Sequence, residues 1–73
     1  MSTSEVRADL VANVWKHVAR VGEQVVPGDV LSVLESMKME IPVRSDVRGT
    51  LIRQVVPEGS FVQEGDVLWV IEN

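Results

Sequence analysis

Displaced by 37 residues, the sequence aligns with itself without a gap. The segment from Val6 to Ser36 then matches the segment from Val43 to Asn73. Val6-Arg7 falls on Val43-Arg44, Asp9 on Asp46, Val18 on Val55, Gly22 on Gly59 and Val25 on Val62. Gly28-Asp29-Val30-Leu31 falls on Gly65-Asp66-Val67-Leu68, Val33 on Val70 and Glu35 on Glu72. The shared pattern is GxxVxxGDVLxV. A valine-rich chain aligns a few valines by chance, but not two glycines and an aspartate at fixed spacing. An open solenoid needs at least about three repeats. Two copies imply instead one domain over residues 1–73, with halves related by a pseudo-twofold axis and strands from both in a shared core.

The repeat also decides between helix and strand. Leu10, Val11, Val14, Val18 and Val21 have the spacing of an amphipathic helix. Their copy, from Val47 to Glu58, contains Gly49 and Pro57. Inside a helix, glycine costs about 1 kcal/mol and proline about 3 kcal/mol relative to alanine. Halves of common origin share a fold, so both segments read as strand. Val30–Leu34 and Val67–Ile71 are β-rich runs, each preceded by Gly-Asp in a turn. Pro27-Gly28, Glu64-Gly65, Gly22 and Pro57-Glu58-Gly59 are further turn signals. Six or more short strands predict an all-β fold, a flattened barrel or two-sheet sandwich.

Composition narrows the function. With 73 residues, no cysteine and a single histidine, His17, the chain has neither disulfides nor a thiolate or histidine-rich metal site. Its net charge of −4 argues against nucleic acid as a partner. No apolar run approaches the roughly 20 residues that span a bilayer, so no membrane span is expected. The opening MSTSEVRADL lacks the basic start and apolar core of a secretory signal. A cytoplasmic location follows as the expectation. A single core of this size rarely supplies more than about 3–5 kcal/mol, which leaves little room for a large catalytic cleft.

Six residues between the halves have no partner in the alignment: Met37, Lys38, Met39, Glu40, Ile41 and Pro42. This junction at 37–42 joins the end of one half to the start of the other. The twofold therefore predicts a hairpin there, projecting Met37-Lys38-Met39, with the chain ends at the opposite pole. Of the two lysines, Lys16 has Arg53 as its repeat partner and reads as part of a solvated face. Lys38 has no partner and lies at the unique tip. Nothing near it in sequence supplies the apolar burial of a Schiff-base lysine. A chemically modified lysine fits better, because a tip is accessible and flanking methionines offer adaptable apolar contact.

At ESMKME, from Glu35 to Glu40, the chain resembles the biotinyl domains of biotin-dependent carboxylases and the short bacterial biotinyl/lipoyl attachment proteins. The resemblance rests on the lysine between two methionines, Met37-Lys38-Met39, on the preceding Glu35 and the following Pro42, and on the doubled GxxVxxGDVL pattern. It extends from about Val6 to Glu72. Ser36 stands where alanine is commonest in the family, and Glu40 where neutral residues are common. The resemblance implies a hammerhead-type β-sandwich with its attachment lysine on a hairpin between the halves. It implies that a biotin protein ligase attaches biotin covalently to Lys38. It further implies a non-catalytic carrier that moves carboxyl groups between biotin carboxylase and carboxyltransferase partners. Met37 and Met39 are then recognition flanks, and Glu35 and Glu40 candidates for ligase recognition. Lipoyl domains resemble the same fold but usually place Asp and Ala around the lysine, so lipoate is the alternative cofactor. An unmodified interaction module is a further alternative.

Other residues have plainer readings. Glu35 and Glu40 have no histidine, cysteine or serine partner for acid–base work, and no catalytic constellation is evident. His17, matched by Gln54, reads as a strand-surface residue. Trp15 and Trp69, matched by Ile52 and Ser32, read as packing residues. Asp29 and Asp66 read as turn-fixing carboxylates, not metal ligands.

Overall fold

A computed structural model describes residues 2–73. The described residues form eight strands and no helix: β1 (Thr3–Arg7), β2 (Ala12–His17), β3 (Gln24–Val25), β4 (Val30–Ser36), β5 (Met39–Arg44), β6 (Gly49–Gln54), β7 (Phe61–Val62) and β8 (Val67–Glu72). They pair into two antiparallel four-stranded sheets, ordered β1-β8-β6-β3 and β5-β4-β2-β7. The fold is the all-β sandwich read from the sequence.

An offset of 37 residues carries one sheet onto the other, strand by strand, including its irregularities. The shift between Val6 and Arg7 where β1 meets β8 recurs between Val43 and Arg44, where β5 meets β4. Lys16 skips one place in pairing with β4, and Arg53 does the same with β8. Each bulge leaves one residue unpaired and sharpens the local twist. The unpaired residues are Leu68 and Leu31, both buried, at the first pair of shifts, and Trp15 and Ile52, both exposed, at the second.

The turns repeat as closely. Val26 N–H donates to the Asp29 carboxylate at 2.9 Å, and Gln63 N–H to that of Asp66 at 2.8 Å. Each closes a four-residue turn whose third residue has positive φ, +97° at Gly28 and +92° at Gly65. A side chain there would clash with its own backbone, so glycine is required. Arg7 and Arg44 donate to the carbonyls of Gly65 and Gly28 at 2.7 and 2.9 Å. Asp29 and Asp66 are thus turn fasteners, as their sequence context implies.

The core is built from Ala12, Val14, Val25, Leu31, Leu34, Leu51, Val62, Leu68, Trp69 and Ile71 with Ala8 and Ala19. At its centre the twofold is broken by size. Trp69 and its counterpart Ser32 are both fully buried, and the Trp69 indole N–H donates to Ser32 Oγ at 2.8 Å. Equivalent positions that touch across an axis cannot both be tryptophan in a core packed to crystal density, and Ser32 leaves the space that Trp69 fills. His17 completes the cluster. Its Nδ1 lies 2.6 Å from Ser32 Oγ, its Nε2 lies 2.7 Å from the Val56 carbonyl, and its ring stands edge-on to Trp69 at 5.1 Å. The neutral tautomer with hydrogen on Nε2 satisfies every group: indole to hydroxyl, hydroxyl to Nδ1, Nε2–H to carbonyl. Two readings from sequence are corrected here. His17 is a half-buried core bridge, not a surface residue. Trp15 is 46% exposed, turned outward by alternation from buried Val14, with Lys16 Nζ 4.8 Å from its ring centre.

Candidate functional site

The strand pairing continues to the tip of the β4–β5 hairpin, where Ser36 faces Met39. Only Met37 and Lys38 remain to make the turn. Met39 to Pro42, unpartnered in the sequence alignment, lie in β5 and correspond by offset to Ser2 to Glu5. The counterpart of the Ser36–Met39 pair is Asn73 and Ser2. These two exchange both backbone hydrogen bonds, at 3.1 and 2.8 Å. One pole is therefore closed by Met37-Lys38, and the other by the Ser2–Asn73 pair.

A two-residue hairpin turn whose twist matches its strands needs positive φ at both positions, which favours Asn-Gly. Met37 and Lys38 adopt φ of +51° and +67°. They are the only non-glycine residues with positive φ among those described. A side chain held in this region costs on the order of 1–2 kcal/mol. Strain of this kind gathers where function needs a particular side chain. A glycine at position 38 would relieve the backbone and remove the amine.

The apex is open. Met37 is 92% exposed and Met39 64%, and Lys38 is exposed. Among the described residues the one ion pair joins Arg7 and Glu5, so the Lys38 amine is bound to no carboxylate. Directly below, Glu35 faces Glu40 across the hairpin, both exposed. Like charges directly opposite in a sheet repel, and no described cation pairs with either. Lys38, Met37, Met39, Glu35 and Glu40 are thus gathered on one hairpin end. No group of three or more described His, Cys, Asp or Glu residues could hold a metal ion. No described helix is long and apolar enough to cross a membrane. A groove of about 530 Å³ lies elsewhere, across the pseudo-axis, lined by the equivalent pairs Val6 and Val43, Arg7 and Arg44, and Asp9 and Asp46. The site is a projecting amine, and the residues there fit a group attached covalently through it.

One residue beside the tip was not singled out from sequence. Phe61 in β7 is 62% exposed and faces Asn13, which in turn faces Glu35. Strand alternation from its buried neighbour Val62, a matched repeat position, was the available signal.

Known proteins are similar to this chain in sequence and fold. The family model described as "Biotin-requiring enzyme" matches residues 2–71. A protein of Mycobacterium leprae named "Biotinylated protein TB7.3 homolog" is 48% identical over 67 residues, covering 92% of this chain and 94% of the relative. The "Biotin/lipoyl attachment protein" of Bacillus subtilis is 41% identical, covering 93% of each. The Kluyveromyces lactis urea carboxylase structure superposes with a TM-score of 0.92 at 29% identity, over 99% of this chain and 6% of the carboxylase. A single-chain long-chain acyl-CoA carboxylase gives 0.85 at 34% identity, over 93% of this chain and 7% of that one. A chain with this doubled sandwich and this hairpin, matched over nearly its whole length, belongs to the biotin/lipoyl attachment family.

Proposed function

We propose that the chain is a biotin carrier and that the Lys38 ε-amine is its attachment point. The observation that carries this reading is Lys38 itself, exposed and in no ion pair among the described residues, at the apex of a turn that lies outside the twofold. In the reaction, a biotin protein ligase presents biotinyl-adenylate. The deprotonated amine attacks the acyl carbon, an amide C–N bond forms, the acyl–phosphate bond breaks, AMP leaves and one proton is released. The chain loses one positive charge, so its net charge falls from −4 to −5. When bound, biotin supplies the group on which a biotin carboxylase places a carboxyl and from which a carboxyltransferase removes it.

The protein's own part is mechanical. The β4–β5 ladder holds the turn away from the body of the domain. The lysine stem and acyl chain make a tether of roughly 15 Å, and tethering keeps local concentration at about the millimolar level. The name of the Bacillus subtilis relative keeps lipoate as a second cargo.

Intact mass after incubation with a biotin ligase, biotin and ATP tests the reading. We expect one biotinyl increment on the native chain and none on Lys38→Arg. No increment, with the ligase active on a known acceptor, would overturn it. A lipoyl ligase in the same assay would then separate a lipoyl carrier from an unmodified interaction module.

A further inference from the structure

The near-perfect offset makes the two sheets internal controls for one another. Where their outer faces differ, the fold itself does not demand the difference. The tip-bearing sheet presents Phe61, Asn13, Glu35 and Glu40 as one row across β7, β2, β4 and β5. The corresponding row of the other sheet is Gln24, Thr50, Glu72 and Thr3. Trp15, beside that first row, corresponds to Ile52. The tip-bearing face has therefore gained two exposed aromatic rings and an opposed pair of carboxylates. With strands about 4.8 Å apart and about 3.4 Å per residue, Phe61 lies roughly 12 Å from Met37. Both rings lie beside Asn13 on the outer face of the sheet that carries the tip.

We infer that this outer face, centred on Phe61 and Trp15, is the docking surface for the enzyme that acylates Lys38. The inference rests on the carrier reading above. Reach identifies the occupant. An acylating enzyme works at Nζ, only about 6 Å from the Lys38 Cα, so it must enclose the apex and touch the sheet beside it. An enzyme acting on the loaded arm works roughly 15 Å out and can leave the sheet uncovered. A second copy of the chain is a poor occupant. Four strands over about four residues of length give a face on the order of 250 Å², against about 800 Å² per partner in a stable interface. Charge fixes the partner's chemistry: Glu35 and Glu40 repel one another in the free chain, and a cationic rim around an apolar seat would relieve them.

The test exchanges residues for their own counterparts. Phe61→Gln and Trp15→Ile, singly and together, are compared with Ile52→Gln on the opposite face, each checked by thermal unfolding. In ligase-catalysed biotinylation we expect kcat/KM of the double variant to fall at least tenfold through KM, with kcat within twofold and Ile52→Gln unchanged. Glu40→Thr is expected to flatten the salt dependence of kcat/KM. A double variant within twofold of the native chain, or an equal fall in Ile52→Gln, would overturn the docking face while leaving the carrier reading standing. Sedimentation showing a dimer that Phe61→Gln dissolves would assign the face to a second copy and overturn it as well. A native chain that takes no biotin at all would overturn the carrier reading and this one together.

Discussion

The two poles of the molecule have the same strand pairing and opposite characters. At one, Ser2 and Asn73 close the ladder. At the other, Ser36 and Met39 close the same ladder and two strained residues bridge it. What distinguishes the two poles lies in that bridge and in the few side chains beside it. The body between the poles is a scaffold that could be built from either half. The proposed site coincides with a departure from symmetry, and each departure can be tested by restoring or exaggerating it.

The largest departure is Trp69 against Ser32. Trp69→Ala should cost about 3–5 kcal/mol, enough to unfold much of so small a domain, read as loss of the cooperative transition in urea. Ser32→Ala should cost only about 1–3 kcal/mol, by leaving the Trp69 indole and His17 without a partner. Equal costs at the two positions would break the account of the axis as a large-to-small contact.

Next is Gly49, whose counterpart is Ala12. A Cβ built at Gly49 would lie 2.5 Å from the Glu72 carbonyl oxygen and 2.6 Å from Ile71 Cγ2. Both obstacles are held in the sheet, so Gly49→Ala should destabilise by about 1–3 kcal/mol by chemical denaturation. Ala12→Gly should cost about 0.5–1 kcal/mol, chiefly through backbone entropy. The bridge itself gives the opposite sign. Met37→Asn with Lys38→Gly should raise stability by about 1–2 kcal/mol, because it relieves two positive-φ side chains, while biotinylation disappears. The smallest effect sharpens the equivalence. Asp29→Ala and Asp66→Ala should each cost about 0.5–1.5 kcal/mol, and the two melting shifts should agree closely.

Much of this was legible in the residues, and the exceptions have causes. Gly28-Asp29 and Gly65-Asp66 announce their turns because a positive φ and a side-chain fastener each demand a residue type. The hairpin at Met37-Lys38 was legible because those residues fall between the halves and have no repeat partner. The bulges at Trp15 and Ile52 were not, since one extra residue in a strand has no compositional mark and inverts the alternation after it. His17 misled for the related reason that its partners, Ser32 and Val56, are distant in sequence. The alignment also stopped at Val6 and Val43, although the backbone equivalence runs on to Ser2 and Met39. Thr3 and Glu40, Ser4 and Ile41, and Glu5 and Pro42 share no chemistry, and edge-strand hydrogen bonds do not ask them to.

The pairing of Ser2 with Asn73 has a consequence for how such a unit can be used. The molecule measures 37 Å along its long axis and 17 Å across. Ser2 and Asn73 lie side by side at the pole away from the Lys38 amine. A unit of this kind can be spliced into a host polypeptide at one locus, entering and leaving through adjacent residues, without stretching its sheets or covering its apex. The fold is thus a plug with its wiring at one end and its contact at the other.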